Sequence, residues 1–274
     1  MKIHRIYAIY FSATGNTRRA CTVMARAAAG PAGLVPETID FTTPGCRKKT
    51  HVFSAGDLVL FGTPVYAGRV PNVLLNYIRT GFVGNGAFAV PLVTYGNRAY
   101  DDALYELSSL LTDDGFSIAA AAAIPAQHAF TAKLAAGRPD AEDLAALRAF
   151  GGRLYEKISA DDYTAPLLQL PCPNKLTGYY RPLSEDGTAV NFLHAKPLAN
   201  PDLCEGCCMC AVLCPMEAIP RSEPMTTTGT CIHCHACITR CPRKARSLPD
   251  EGYLSHIRRL EQTCSGRKEI EYFE

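Results

Sequence analysis

Eight cysteines near the C-terminal end of this 274-residue chain repeat one spacing twice. Each run has three cysteines separated by two residues, then a fourth after three more, followed directly by proline; the second run begins 27 residues after the first. This is the bacterial iron–sulfur ligand spacing, in which the fourth thiolate of each run ligates the other cluster. The pattern predicts two ligand sets: Cys204, Cys207, Cys210 and Cys241, and Cys231, Cys234, Cys237 and Cys214.

This spacing has a chemical reason. Thiolates are soft ligands that suit iron–sulfur clusters, and two-residue gaps let one tight loop supply three corners of a cubane. The proline after the fourth cysteine turns the chain away from the site. A zinc ribbon or knuckle is the alternative, but it needs only paired Cys-x2-Cys hooks and has no use for the third cysteine and the Cys-Pro step.

The segment from Leu203 to Ser247 resembles the dicluster bacterial-type ferredoxins along its whole length. That resemblance implies two [4Fe-4S] clusters in a small, pseudo-symmetric α+β domain. Cys208 is an extra thiol inside the first run, and His233 and His235 lie among the ligands of the second. We expect these two histidines to be exposed to solvent.

The length and the net charge of the chain limit which classes of protein it can belong to. With 47% apolar residues, 274 residues suffice for two domains of unequal size. We find neither a signal peptide nor an apolar run of membrane-spanning length, and thiolate ligands need a reducing compartment. A net charge of +2 argues against nucleic acid as a partner. We therefore expect a cytoplasmic protein with no membrane span and no nucleic-acid partner.

The N-terminal part begins with a predicted strand, a hydroxyl-rich loop and a helix. The β-branched and aromatic stretch from Ile3 to Phe11 leads into the loop, and an alanine-rich helix begins near Arg18. Backbone N–H groups at a helix start, together with hydroxyls, can surround a phosphate, and a glycine lets the backbone approach it. Neither a P-loop nor a dinucleotide fingerprint is present. The candidate phosphate ligands are Ser12, Thr14, Gly15, Asn16 and Thr17.

Strands and helices then alternate. This alternation predicts a doubly wound parallel sheet, in which ligands bind beyond the carboxyl ends of the strands. Three loops therefore share one crevice: residues 12–17, 63–71 and 94–100. The predicted strands are Asp57–Thr63, Ala87–Tyr95 and Phe116–Ile124, and the predicted helices lie around Val73–Ile78, Ala99–Leu111 and Ala141–Ile158.

Together the three loops resemble those of the flavodoxin family, over roughly residues 1–160. The resemblance implies a five-stranded doubly wound parallel sheet that binds FMN, with its phosphate in the first loop and its flavin ring between the other two. For Tyr66 and Tyr95, ordinary partial burial beside a crevice is the alternative. By this likeness the ring contacts Thr63, Pro64, Val65, Tyr66, Ala67 and Gly68 on one face, and Thr94, Tyr95, Gly96, Asn97 and Tyr100 on the other.

Two residues are candidates for catalytic roles at the flavin. Arg98 lies where ordinary flavodoxins have an acidic segment, and its guanidinium would stabilise the anionic reduced flavin; an exposed arginine at a helix start is the alternative. His128 follows the fifth strand at the same end of the sheet and would donate a proton to a bound substrate. The alternative there is a structural histidine.

Domain boundaries follow from changes in pattern. We assign residues 1–160 to a flavodoxin-like domain, 161–202 to a connector, 203–247 to a ferredoxin-like domain and 248–274 to a C-terminal helix and tail. The connector is rich in proline but also in leucine and tyrosine, so we predict that it is ordered and packs on one or both domains. The apolar spacing from Tyr253 to Cys264 predicts a helix that docks on its own chain.

This domain order resembles the flavodoxin–ferredoxin fusion family of anaerobes, including the loop sequences Gly62–Pro71 and Tyr95–Asp102. The resemblance implies an electron-transfer iron–sulfur flavoprotein that passes single electrons between a low-potential redox protein, such as a ferredoxin or an oxidoreductase, two [4Fe-4S] clusters and FMN. The alternative is a terminal FMN-dependent reductase of a small organic acceptor, such as a quinone, a nitro compound or an unsaturated ring. A redox sensor is a third reading, disfavoured because no DNA-binding motif is evident.

Overall fold

The computed structural model describes residues 2–171 and 176–274, so residues 172–175 of the predicted connector lie outside the described residues. In the first 160 residues strands and helices alternate, close to the bounds that the apolar pattern predicts. The strands are β1 (Arg5–Tyr10), β2 (Glu37–Asp40), β3 (His51–Val52), β4 (Asp57–Pro64), β5 (Phe82–Val83), β6 (Phe88–Tyr95), β7 (Ser117–Ile118) and β8 (Ala121–Pro125). The helices are α1 (Asn16–Ala29), α2 (Asn72–Gly81), α3 (Ala103–Asp113) and α4 (Ala141–Ile158).

The C-terminal part has shorter elements, with one longer helix. Its strands are β9 (Leu198–Ala199), β10 (Arg246–Ser247) and β11 (Glu271–Phe273), and its helices are α5 (Met209–Val212), α6 (Ala236–Thr239) and α7 (Glu251–Thr263). The β9 strand falls inside the predicted connector and pairs antiparallel with β10, so that the two ends of the cysteine-rich segment lie side by side.

A mostly parallel central sheet organises the fold, in the strand order β11-β8-β6-β4-β1-β2. Its five main strands run parallel in the order typical of flavodoxin-like sheets, whose switch point here lies between β1 and β4. The prediction of five parallel strands is incomplete. Short β7 pairs with β6, and the C-terminal β11 adds an antiparallel edge next to β8, which makes seven strands.

Helices cover both faces of this sheet. On one face Ile6 and Tyr10 of β1 pack with residues of α1 and α4, and on the other Ile9 packs with residues of α2 and α3. Because both faces are buried, the central strands are almost continuously apolar, as is usual for parallel sheets. The carboxyl ends of β1, β4 and β6 therefore meet at one edge, where the three predicted loops begin.

The C-terminal residues return to the N-terminal sheet. After α7, which begins at an Asp250 side chain that accepts the Tyr253 N–H, the chain runs back to pair β11 with β8. The prediction of a helix for this segment holds, but the segment that follows it is a strand. In the described part of the chain, no helix is both long enough and apolar enough to cross a bilayer.

Candidate functional site

Two cavities in the C-terminal part are lined by cysteines. One is bordered by Cys214, Cys231, Cys234 and Cys237. The other is bordered by Cys204, Cys207, Cys210 and Cys241, and also by Cys208. Each cavity thus combines three cysteines of one run with the fourth of the other. We call them the inner cavity (Cys214, Cys231, Cys234, Cys237) and the outer cavity (Cys204, Cys207, Cys210, Cys241).

The backbone around the cavities repeats with the 27-residue offset of the cysteine runs. Left-handed backbone conformations occur at Gly206 and His233 and again at Cys208 and His235. The short helices α5 and α6 start directly after the second pair of positions. Two different sequences thus adopt the same loop-and-helix path around two cavities.

The fourth cysteine of each run accepts a hydrogen bond at the same place in the repeat. The Ala218 N–H donates to Cys214 Sγ at 3.2 Å, and the Ala245 N–H donates to Cys241 Sγ at 3.3 Å. Backbone donors of this kind stabilise a thiolate and tune the potential of a sulfur-ligated cluster. Among residues 2–171 and 176–274, the structure contains no group of at least three His, Cys, Asp or Glu side chains that could hold a metal ion.

The two cavities differ in exposure. Cys207 of the outer cavity is exposed, whereas Cys234 of the inner cavity is buried. Burial raises the pKa of the Cys234 thiol to about 12 and that of Cys237 to about 11. Without a bound cation these thiols stay protonated at neutral pH, and a metal that binds them displaces the protons.

Arg246 is a buried cation beside the cysteines that the sequence did not single out. Its guanidinium donates to Cys210 Sγ at 3.5 Å and to the Thr227 hydroxyl at 2.5 Å. Its charge also lowers the pKa of Cys231 and Cys237 in the inner cavity, against the larger effect of burial. A fixed positive charge near both sets favours their thiolate forms.

The inner cavity adjoins the second predicted flavin loop. Cys234 and Ala236 belong to the same buried apolar cluster as Tyr95, and Val65 and Tyr66 pack against that cluster. Burial raises the pKa of the Tyr66 hydroxyl, and the charges of nearby Cys234 and Cys231 raise it further. The second loop and the inner cavity therefore share one apolar cluster.

The first loop leads into α1 with free backbone donors. Gly15 is the N-cap of α1 with φ of +100°, and no side chain caps the helix. The N–H groups of residues 13–15 and the Thr14 hydroxyl have no hydrogen-bond partner among the residues that the structure describes. Such a cradle of N–H groups at a helix start favours an anion.

The other side chains of this loop bond within the protein. The Ser12 hydroxyl accepts the Arg18 N–H at 3.0 Å, and the Asn16 amide donates to the Gln127 carbonyl at 3.2 Å. The Thr17 hydroxyl is buried and lies 2.7 Å from the Thr94 hydroxyl, which ties the first loop to the third. These three side chains shape the loop, and Thr14 keeps its hydroxyl free.

A tight turn forms the second loop. Tyr66 and Arg69 exchange backbone hydrogen bonds of 2.9 and 3.1 Å, and Ala67 and Gly68 both have positive φ. A Cβ at Gly68 would overlap the Asp101 carboxylate, so glycine lets the second loop contact the third. At the start of the loop the Thr63 hydroxyl is buried with no hydrogen-bond partner among the described residues.

In the third loop two predicted flavin contacts are engaged elsewhere. The Asn97 amide donates to the carbonyls of Cys264 and Gly266 at 2.6 and 2.8 Å, and the Tyr100 hydroxyl donates to Glu271 at 2.7 Å. Burial and that hydrogen bond raise the pKa of Tyr100. The C-terminal segment thus occupies both side chains. The Thr94 and Tyr95 carbonyls accept the Val65 and Ala126 N–H groups, whereas the N–H groups of residues 96 and 97 have no partner among the described residues.

Arg98 is held by its neighbours in the same region. Its guanidinium lies 3.9 Å from the centre of the Tyr180 ring and forms an ion pair with Asp101. Tyr180 belongs to the predicted connector, and its N–H donates to the Ala67 carbonyl at 2.9 Å. The connector therefore lies across the second and third loops, and the Arg98 charge is partly neutralised.

His128 lies against the third loop. A Cβ at Gly96 would collide with the His128 ring, and His128 Nδ1 accepts the Phe130 N–H at 3.1 Å, which leaves the ring proton on Nε2. Burial, with smaller contributions from His256 and Arg98, lowers the pKa of His128 to about 4. The ring is therefore neutral at physiological pH, and it is a hydrogen-bond donor with no imidazolium proton to give.

The expectation that His233 and His235 are exposed is wrong. They are 7% and 3% exposed, because aromatic side chains from distant segments cover them. His233 Nε2 lies 2.8 Å from the Ala195 carbonyl, and the His235 ring lies 4.7 Å from the Phe130 ring. Burial lowers the pKa of His235 to about 3. Both rings pack against the inner-cavity loop.

Comparison with known proteins finds similarity only among solved structures: no protein-family model and no curated protein matches the chain. An archaeal flavodoxin is 14% identical, with a TM-score of 0.38, over 57% of this chain and 100% of that one. A Streptococcus pneumoniae flavodoxin is 18% identical, with a TM-score of 0.40, over 56% and 99%. A flavodiiron protein from Giardia intestinalis is 19% identical, with a TM-score of 0.33, over 56% and 35%.

Proposed function

We propose that this protein is an electron-transfer iron–sulfur flavoprotein, which passes single electrons between two [4Fe-4S] clusters and FMN. The observation that carries the proposal is the arrangement of the eight cysteines. They border two cavities in crossed sets, and Cys234 of the inner cavity belongs to the apolar cluster against which Tyr66 of the loop crevice packs.

The donor sets suit cubane clusters. The four predicted ligands of each set border one cavity, with Cys208 as a fifth thiol at the outer one. The Ala218 and Ala245 N–H groups each donate to a sulfur of one set, and Arg246 adds a positive charge. A structural zinc site instead draws its four ligands to about 2.0–2.3 Å from one ion. The crossing of the fourth cysteine of each run into the other set supports a pair of clusters over a zinc ribbon.

The loop crevice suits FMN. The free N–H groups of residues 13–15 and the Thr14 hydroxyl would hold its phosphate. The unpartnered Thr63 hydroxyl, the turn at Tyr66 and the backbone of residues 94–97 would contact its ring. The crevice lies at the switch point of the sheet, where flavodoxin-like folds bind FMN. When bound, FMN supplies a carrier that accepts one or two electrons.

The two cavities differ in exposure, and this difference sets the order in which electrons pass through them. Cys207 makes the outer cavity accessible, so a partner redox protein reaches that ligand set first. Cys234 of the inner cavity is buried, and the partly buried Tyr66 of the crevice packs against the apolar cluster to which Cys234 belongs. Holding the three sites in one chain makes transfer between them intramolecular.

The protonation state of His128 favours electron transfer over the terminal reductase. A reductase that protonates a small organic acceptor needs an acid near its operating pH. The pKa of His128 is lowered to about 4, and Arg98 is stacked on Tyr180 and paired with Asp101. Neither residue offers a proton at neutral pH.

The test is the cluster content of two cysteine variants reconstituted anaerobically with iron and sulfide. Cys241→Ala removes a predicted ligand of the outer set, and Cys208→Ala removes the extra thiol that borders the same cavity. We expect Cys241→Ala to lose about half of the iron and sulfide, and Cys208→Ala to keep both clusters. Full cluster content in Cys241→Ala would refute the crossed assignment, and a wild-type chain that binds zinc in preference to iron would refute the function.

A further inference from the structure

Arg240 connects the cysteine-rich segment to the predicted phosphate loop. It precedes Cys241 at the end of α6, and its guanidinium reaches across to the start of α1. A Cβ on Gly15 would lie 2.8 Å from Arg240 Nη2, so that the guanidinium is in direct contact with the loop. The two residues are 225 positions apart in the sequence.

The guanidinium is not engaged by the protein itself. Within residues 2–171 and 176–274 no hydrogen bond or ion pair joins the Arg240 side chain to another residue; only its backbone N–H is bonded, to the Ala236 carbonyl. By contrast Arg47, which also bridges the two parts, donates to the Phe41, Thr42 and Pro215 carbonyls. Arg240 therefore has its donors free at the place where the loop has free N–H groups.

The loop itself supplies no cation for a phosphate. Residues 12–17 are uncharged, and no acidic side chain lies in the first turn of α1. Arg18 follows the loop, but its charge lies near Tyr10, where it offsets part of the rise in the pKa of that hydroxyl that burial and Asp40 cause. A phosphate dianion held only by N–H groups is stabilised further when a guanidinium donates to it, because guanidinium and phosphate geometries match.

We propose that Arg240 is a phosphate-binding residue for FMN, supplied to the flavodoxin-like loop by the cysteine-rich segment. The inference rests on the proposed FMN site. It implies that the flavodoxin-like part lacks one phosphate ligand when it is separated from the rest of the chain. It also implies that the ligand role of Cys241 and the position of Arg240 are linked, since the two residues are adjacent.

The test uses the full-length, cluster-loaded chain, stripped of flavin, titrated with FMN and with riboflavin while flavin fluorescence is followed. Riboflavin lacks the phosphate, so a phosphate ligand affects FMN alone. We expect Arg240→Ala to weaken FMN binding on the order of 10- to 100-fold, the range of a hydrogen bond to a charged group, and to leave riboflavin affinity unchanged. Arg240→Lys keeps the charge and recovers part of the loss.

A matched control is Arg18→Ala, which removes another exposed arginine near the loop. No Arg18 atom lies within 4 Å of a Cβ on Gly15, so we expect this variant to change FMN affinity by about fivefold or less. Iron and sulfide are measured in each variant to show that Cys241 still holds its cluster. Equal FMN affinities of the wild type and Arg240→Ala, or equal losses for FMN and riboflavin, overturn the inference alone. A wild-type chain that binds neither flavin overturns the proposed function as well.

Discussion

Asn97 offers a sharp test of how the C-terminal segment holds the third loop. Its amide donates to the carbonyls of Cys264 and Gly266 at 2.6 and 2.8 Å, and its backbone has φ of +69°. Asn97→Gly removes the two hydrogen bonds and tolerates this φ. Asn97→Ala removes the same bonds and adds a Cβ in the left-handed region.

The magnitude follows from these contacts. Each hydrogen bond contributes about 0.5–1.5 kcal/mol. Gly266 is exposed, so that water replaces part of its bond, and we expect Asn97→Gly to lower the free energy of unfolding by about 1–2 kcal/mol. Asn97→Ala lowers the free energy of unfolding by about 1–2 kcal/mol more, because a residue with a Cβ is strained in the left-handed backbone conformation.

Thermal unfolding followed by circular dichroism measures both variants in the cluster-loaded chain. At about 2–4 °C per kcal/mol, Asn97→Gly melts about 2–8 °C below the wild type, and Asn97→Ala melts lower still. Hydrogen exchange in β11 should speed up in both, because the segment that carries the two carbonyls leads into that strand. A glycine variant as stable as the wild type, or an alanine variant as stable as the glycine one, refutes this reasoning.

Two further predictions concern ionisable side chains inside the protein. Arg138→Ala breaks a buried ion pair with Asp143 of 2.5 Å and should cost about 3–5 kcal/mol in the free energy of unfolding. Arg267→Ala removes an exposed guanidinium from the same carboxylate cluster and should lower the melting temperature far less, because solvent screens exposed ion pairs. Equal melting temperatures for the two variants contradict this. His128 has a pKa of about 4 in the folded chain, against an ordinary value of 6.5. As the pH falls, the unfolded chain therefore binds this proton before the folded chain does. The stability that His128 contributes is complete above pH 6.5 and is lost as the pH falls toward 4. His128→Asn should flatten this part of the stability–pH curve, and an unchanged slope would show that His128 is not the titrating group.

The fold of the first 160 residues could be predicted because its strands are buried on both faces. The run Asp57–Thr63 is apolar almost throughout and becomes β4. Glu37–Asp40 escaped prediction because β2 is an edge strand, mostly exposed and with charged ends. The three residues of β11 are too few for any pattern, and the strand depends on its partner β8.

The grouping of the eight cysteines around two cavities could be predicted because their spacing is local, and their role as cluster ligands stays a prediction. The surroundings of the sets could not be predicted, because they come from distant segments. His235 is buried by the rings of Phe130 and Tyr253, which lie 105 residues before it and 18 after it. The contact of Arg240 with Gly15 likewise joins residues whose proximity no local pattern encodes.

The most direct test of the central claim is the rate of internal electron transfer after flash reduction of the anaerobic, fully loaded chain. Flavin absorbance and the EPR signals of the reduced clusters are followed over a series of protein concentrations. The account predicts that electrons redistribute between clusters and flavin at a rate that does not depend on protein concentration, because both sites belong to one chain and border one apolar cluster. A rate that rises in proportion to protein concentration, or a flavin signal with no cluster signal, would contradict it.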